Sequence, residues 1–253
     1  MSEWDYTKNV RRWSRSRGYA DGTHHGYPII ARDSPVEGCI DIRSKPHGGE
    51  AVIVDSTDPF YGRFYDALWT DFKDLHKAQN RKKSPNRRAT AAAYKAVSAA
   101  MAYDPMVVHV VDYRLKIEAR IPKKPGEQNR GDMMVNLGHF LIWEGGICRH
   151  QAPATAFLLQ RAYQEEMADG WASSDANYEH ARGGHNWVRL TPEDPVEDIL
   201  IADPAQNFVG TLTTAYLRNA WDYMRPGELA SVSARIEQLS VAQRGLARIG
   251  LRF

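Results

Sequence analysis

Apolar and polar residues recur along the chain in patterns that distinguish helices from strands. The alanine-rich run Ala89–Asp104 has the composition of a stable helix. Residues Met106–Ile121 are rich in β-branched side chains and alternate, so we expect a long strand or a hairpin there. Residues Met133–Trp143 are apolar and are either helical or extended. After Cys148, one apolar helical face is formed by Ala152, Ala156, Leu159 and Tyr163.

The C-terminal half predicts strands followed by helices. Residues Asn186–Leu190 and Asp198–Asp203 are predicted to be two antiparallel strands joined by a turn. From Thr211 to about Ile249 the chain is predicted to be mostly helical, with an interruption at Arg225–Glu228. The order of helices, a cysteine-bearing helix and antiparallel strands indicates an α+β fold.

The first third of the chain has a different composition, rich in Gly, Pro, His and aromatic residues. Strand-like segments occur at Tyr27–Ala31 and Glu50–Asp55, and the aromatic segment Pro59–Trp69 predicts the start of a helix that runs through Leu75. We expect residues 1–85 to form an extension packed on a core of residues 86–253.

One basic run, Arg81–Arg88, carries five positive charges around a Ser-Pro pair. A solvated loop between helices is the favoured interpretation of such a run. A patch that binds phosphate or an acidic partner is the alternative.

Composition limits the classes of function. The chain has 253 residues and a net charge of +2, so charge gives no reason to expect nucleic acid or a membrane as a partner. Two cysteines and a polar start without a secretory signal favour a cytoplasmic protein. His24, His25 and His47 lie among glycines without paired cysteines or carboxylates, and no glycine-rich phosphate loop occurs, so we expect no metal or cofactor.

Cys148 lies where a cysteine could act as a nucleophile. It follows Gly145 and Gly146, which permit a sharp turn, and it precedes the predicted helix. A helix N-terminus and a paired histidine both favour the thiolate, the reactive form of cysteine. Because Pro153 lacks an N–H, we expect the regular helix to begin near His150. Taken alone, Cys148 also fits a small buried side chain.

Two downstream residues supply the partners that a thiolate needs. His185 opens the strand that contains Trp187, and Asp203 closes the next strand before Pro204. Since the start of one antiparallel strand lies beside the end of its neighbour, Asp203 can hydrogen-bond His185 while the ring faces Cys148.

This combination resembles the transglutaminase-like superfamily. The resemblance rests on Gly-x-Cys-x-x-x-Ala at a helix start, His-x-Trp opening a strand and Asp-Pro closing the next, over roughly residues 89–210. It implies a papain-like core in which a cysteine-bearing helix packs on an antiparallel sheet. It also implies that Cys148 is the nucleophile, that His185 is the base and that Asp203 orients the histidine.

The resemblance implies a thiol acyltransferase or amidohydrolase that forms a thioester with a glutamine side chain or a peptide amide of a protein or peptide substrate. A cysteine peptidase of the same fold and a non-catalytic binding module are the alternatives. His150 either lines the cleft or caps its own helix, and Trp143 or Asn136 is a candidate donor to an oxyanion.

Overall fold

The structure is a computed structural model that describes residues 23–24, 27–41, 50–118, 133–179, 183–239 and 243. Helices and strands are mixed along these ranges, which confirms the α+β class. The α-helices are α1 (Gly62–Lys77), α2 (Pro85–Ala100), α3 (Pro105–Glu118), α4 (Gly138–Ile142), α5 (Cys148–Gln164), α6 (Leu212–Leu217) and α7 (Leu229–Gln238).

The strands form four small sheets within the described residues. Their bounds are β1 (Thr23–His24), β2 (Tyr27–Pro28), β3 (Gly38–Asp41), β4 (Glu50–Val54), β5 (Ala102–Tyr103), β6 (Met133–Asn136), β7 (Gly145–Gly146), β8 (Gly170–Glu179), β9 (Gly183–Pro192), β10 (Leu200–Asp203) and β11 (Phe208–Thr211). The largest sheet is antiparallel in the order β11-β10-β9-β8. The others are the three-stranded sheet β3-β4-β6 and the pairs β1-β2 and β5-β7.

The four-stranded sheet has apolar residues packed on both of its faces. Val188 and Ala202 belong to the core shared with α5, whereas their neighbours Trp187 and Ile201 pack with residues of α6 and α7. Successive residues of a strand point to opposite faces, so one pair of strands contributes to both cores. The sheet therefore holds a fixed position between α5 and the C-terminal helices.

Helix α5 lies in the core and begins earlier than we expected. It starts at Cys148 with Ile147 as its N-cap, so Pro153 is inside the helix and not in a first turn that begins near His150. The N–H that Pro153 lacks would have bonded the carbonyl of Arg149, in the first helical turn. Only one early hydrogen bond is lost, and the apolar face beyond it stays buried from Ala154 to Ala162.

The prediction of a long strand or hairpin at Met106–Ile121 is wrong, since residues Pro105–Glu118 form α3. Val108 and Val111 are buried and Leu115 packs against the same core, a helical spacing that overrides the strand preference of β-branched residues. Asp104 and Pro105 signalled this start: the Asp104 carboxylate accepts a hydrogen bond from the Met106 N–H, and proline is favoured at the first helical position.

Other segments match the predictions in part. Strand β9 encloses the predicted segment Asn186–Leu190, whereas β10 covers only the last four residues of the predicted segment Asp198–Asp203. The two strands pair antiparallel, with Ala202 opposite Val188. The strands β8 and β11 that flank them were not predicted. Residues Met133–Trp143 are extended in β6 and then helical in α4. Part of the basic run belongs to α2, whose N-cap is Ser84 and whose first residue is Pro85.

The segments before residue 85 share the main hydrophobic core. Tyr65, Leu68 and Phe72 of α1 are buried in the same cluster as the alanines of α2. Strand β4 pairs in parallel with β6. The Val36 N–H donates to Gln160 of α5 over 2.9 Å, and the Gln160 amide also donates to the carbonyl of Ala172 over 2.7 Å.

A buried ion network joins this N-terminal part to the large sheet. The Arg225 guanidinium donates to Asp175 of β8 and to Asp33, each over 2.8 Å. Burial raises the pKa of Asp175, but hydrogen bonds from Arg225 and Ser173 outweigh it and lower the pKa. A buried carboxylate of this kind needs its partners, because an unpaired charge in the interior is strongly destabilising.

The orientation of α3 gives a stability test. We expect Val108→Ala to lower the free energy of unfolding by about 2 kcal/mol because it removes buried methyl groups. Val110→Ala, at a side chain that is 38% exposed, should change it by less than about 0.5 kcal/mol. In a strand the two valines would share a face and respond alike. Urea unfolding of both variants separates the two structures.

Candidate active site

Cys148 occupies a position that favours a thiolate. It is the first residue of α5 and is partly exposed. The first turn of a helix has N–H groups without intrahelical partners and carries partial positive charge. The partial positive charge of the helix N-terminus therefore lies next to a cysteine that solvent can reach.

The turn before Cys148 depends on close packing of glycines. Residues Gly145 and Gly146 form β7 beside β5, and a Cβ on Gly145 would lie 2.6 Å from Cγ2 of Val107. The residue with left-handed backbone is Glu144, with φ 52°. The two glycines therefore allow the chain to pack closely against β5 and α3. The chain changes direction at Glu144, one residue earlier than the sequence suggested.

His150 caps its own helix, which decides between the two predicted roles. The Ile147 N–H donates to His150 Nδ1 over 3.0 Å, and the ring stacks on Phe140 with centroids 3.7 Å apart. His150 is fully buried. Next to it, the Gln151 amide donates to the carbonyl of Met101 over 2.8 Å. These contacts fix the turn that carries Cys148.

His185 and Asp203 form a buried hydrogen bond, as the antiparallel pairing predicted. Nε2 of His185 lies 2.5 Å from Oδ2 of Asp203, and both side chains are almost inaccessible to solvent. The His185 ring packs against the Trp187 ring at 6.1 Å and the edge of Trp221 at 4.8 Å. Carboxylate and indoles together hold the imidazole in one orientation.

The same ring interacts with Cys148. Burial lowers the pKa of His185, but hydrogen bonds with Asp203 and then with Cys148 outweigh it and raise the pKa to about 9. Because Nε2 is bonded to Asp203, Nδ1 is the nitrogen left for the sulfur. The structure therefore brings all three predicted residues together in the order Cys148, His185, Asp203.

Tyr223 is a fourth member of this cluster that sequence reasoning missed. Its hydroxyl donates to Oδ2 of Asp203 over 2.8 Å, and the Gln206 N–H donates to Oδ1 over 3.1 Å. Burial and then the charge of Asp203 raise the pKa of Tyr223, so it remains a donor. Tyr223 follows the last predicted strand by 20 residues, and no local motif marks it.

Tyr103 lies at the exposed side of the site. Its strand partner is Gly146, and its ring is about half exposed. Burial raises the pKa of Tyr103, and the nearby charges of Cys148 and Asp203 raise it further. A phenol near the sulfur that keeps its proton is a possible hydrogen-bond donor to a substrate carbonyl.

The two side chains considered as oxyanion donors have other contacts. Oδ1 of Asn136 accepts hydrogen bonds from the Gly138 N–H at 2.8 Å and the Tyr65 hydroxyl at 3.1 Å. The Trp143 ring lies under the Arg114 guanidinium, 4.7 Å from its centroid. Trp187 is a core residue with 1% exposure.

In the part of the chain that the structure describes, no group of three or more His, Cys, Asp or Glu side chains could hold a metal ion. His24 lies in β1, whereas His25 and His47 lie outside the described residues. None of the described helices is long and apolar enough to cross a membrane. Comparison with protein-family models, curated proteins and solved structures gives no match to this chain.

The raised pKa of His185 predicts how stability varies with pH. A histidine whose folded pKa is about 9 stabilises the fold fully below its unfolded value, about 6.5. This contribution is lost as pH rises through 9. Between pH 6 and pH 10, the wild type should therefore lose up to about 3 kcal/mol more unfolding free energy than His185→Asn. Parallel urea-unfolding profiles for the two proteins would contradict the raised value.

Removing the Tyr223 hydroxyl tests the hydrogen bond that Tyr223 donates to Asp203. Tyr223→Phe should lower the free energy of unfolding by about 1–3 kcal/mol, because a buried carboxylate loses a hydrogen bond. Tyr216→Phe, at a side chain that is 45% exposed, is the matched control and should have little effect. Equal stability of the two variants at pH 7 would show that the Tyr223 hydroxyl does not support Asp203.

Proposed function

We propose that this chain is a cysteine-dependent acyl-transfer enzyme of the transglutaminase-like kind. The observation that carries the proposal is the His185 imidazole, whose Nε2 is hydrogen-bonded to Asp203 and whose pKa is raised by interaction with both Asp203 and Cys148. An imidazole held between a buried carboxylate and a partly exposed thiol at a helix N-terminus has the arrangement of an activated nucleophile.

In the proposed reaction the Cys148 sulfur attacks the carbonyl carbon of a glutamine side chain or a peptide amide. A tetrahedral intermediate forms, and the carbon–nitrogen bond breaks as protonated His185 gives its proton to the departing amine or ammonia. The product is a thioester on Cys148. Water or a second amine then attacks the thioester, gives a proton to His185, and restores the thiolate–imidazolium pair.

Asp203 keeps the ring in place through both steps. Its bond to Nε2 leaves Nδ1 toward the sulfur, which is the nitrogen that must exchange the proton. The charge of Asp203 also favours the imidazolium form. The Tyr223 hydroxyl and the Gln206 N–H donate hydrogen bonds to the Asp203 carboxylate, and these bonds keep it in a fixed position.

Two alternatives use the same residues differently. A cysteine peptidase would take a backbone amide as acyl donor and water as acceptor. A non-catalytic transglutaminase-like module would bind its partner without forming a thioester. The partly exposed thiol beside the imidazole supports an enzyme over the binding module, because a binding module has no need of an activated cysteine.

Ammonia release from carbobenzoxy-glutaminyl-glycine, with and without a primary amine, tests the proposal. Cleavage of casein in parallel reports peptidase activity. Cys148→Ala and His185→Ala should each lower turnover by at least about a thousandfold, whereas the matched variant Cys39→Ala should retain it. Persistence of either activity in Cys148→Ala would eliminate Cys148 as the nucleophile. Thermal unfolding of each variant checks that the fold is retained.

A further inference from the structure

A cavity separate from the cysteine site lies at the edge of the four-stranded sheet. Its volume is about 690 Å³, and its walls come from α2, β11, α6 and α7 together with the loop before β10. None of Cys148, His185 and Asp203 lines it. Small-molecule sites in proteins have volumes of roughly 300–1,000 Å³, so this cavity is large enough for an organic ligand.

The charged side chains of the cavity favour an anion. Four basic residues line it, namely Lys83, Arg87, Arg218 and Arg235, against the two acidic residues Glu197 and Asp198. Net charge of the wall is therefore positive. A positive concave surface concentrates anions at the protein.

The two carboxylates are occupied by protein donors. Glu197 accepts hydrogen bonds from Ser84 and from the Asn86 amide. Asp198 accepts the Thr213 N–H at 3.3 Å and lies 3.9 Å from the Arg235 guanidinium. Arg235 in turn donates to the carbonyl of Val196 over 2.9 Å. The oxygens of both acids are thus used by groups of the protein, and Asp198 is also paired with the positive charge of Arg235.

Two arginines remain available for a ligand. Within the described ranges, no carboxylate forms an ion pair with Arg87 or Arg218. Arg87 is partly exposed, and Arg218 is exposed with its guanidinium 5.5 Å from the centroid of the Phe208 ring. A guanidinium binds carboxylate or phosphate oxygens through paired N–H groups.

Two threonines add polar groups that the protein does not use. Thr90 and Thr213 line the cavity and are buried, and neither hydroxyl oxygen has a hydrogen-bond partner among the residues that the structure describes. A buried hydroxyl without a partner is destabilising.

The remaining wall is apolar or aromatic, with Ala91, Tyr94, Leu200 and Val209. We infer that this cavity is a binding site for a small organic anion, with a carboxylate or phosphate held by Arg87 and Arg218 and an apolar body against these side chains. The inference does not rest on the proposed function, because it uses none of the three residues of the cysteine site. It assigns a role to part of the basic run Arg81–Arg88.

Fluorescence titration with 1-anilinonaphthalene-8-sulfonate tests the site, since this probe joins an anionic group to an apolar body. We expect saturable binding with one site per chain. Arg87→Gln/Arg218→Gln should raise the dissociation constant about tenfold or more, because hydrogen bonds to charged groups are lost. The matched control Arg63→Gln/Arg114→Gln, which removes the same charge outside the cavity, should stay within about twofold of wild type.

Competition identifies the anionic group. Displacement of the probe by pyrophosphate alone indicates a phosphate ligand, by citrate alone a carboxylate ligand, and by both a site for either anion. Displacement by neither would overturn the inference, as would equal binding by wild type and Arg87→Gln/Arg218→Gln. Binding should survive alkylation of Cys148; if alkylation abolishes it, the probe occupies the cysteine site and the inference is wrong.

Thr213→Val separates a ligand role from a structural one. Because the hydroxyl has no partner among the described residues, the variant should unfold at the wild-type temperature or above it without the probe. The rise in unfolding temperature that the probe causes in wild type should be smaller in the variant. An unchanged rise in Thr213→Val would exclude the hydroxyl from the site. If the rise is also unchanged in Arg87→Gln/Arg218→Gln, the inference is overturned.

Discussion

The hydrogen bond between His185 Nε2 and Asp203 Oδ2 is the interaction on which the candidate site depends. A carboxylate this deeply buried is stable only where several donors replace its hydration. Asp203 has three, from the His185 ring, the Tyr223 hydroxyl and the Gln206 N–H. These bonds hold the ring in one orientation, and the ring also interacts with Cys148.

The surrounding fold serves to keep these groups in register. Antiparallel pairing of β9 and β10 places the start of one strand near the end of the other. Helix α5 packs on this sheet, so its first residue lies beside His185. The turn before α5 is held by the His150 cap and by the bond from Gln151 to Met101. Contacts that are local in each element therefore bring together Cys148 and Asp203, which are 55 positions apart in the chain.

Much of the site was predictable because its residues stand at marked positions of elements. Cys148 follows two glycines at a helix start, and Asp203 stands before a proline at a strand end, so simple pairing rules bring them together with His185. Tyr223 could not be found this way, since its place is set by the path of an irregular segment over the sheet. Its ring packs between Trp187 and Phe208, at 5.3 and 5.5 Å.

The errors in the fold have a common physical origin. Helix α3 was expected to be extended because β-branched residues favour strands, but packing of one face against the core determines its structure. Strand β8 contains Ser173 and Asp175, whose polar side chains interrupt the apolar pattern by which a strand is recognised in a sequence. Arg225, 50 residues beyond Asp175, donates to both of these buried side chains. A partner so distant in the chain leaves no local signal.

The most direct test of the central claim is the rate at which iodoacetamide alkylates Cys148 at pH 6, measured by mass spectrometry in native and urea-unfolded protein. A thiolate held by the His185 imidazolium should react at least about tenfold faster in the native state. Cys39 in the same samples is the internal control, and His185→Asn should abolish the difference. Equal or slower alkylation of native Cys148 would show that the cysteine and histidine are neighbours without forming an activated pair.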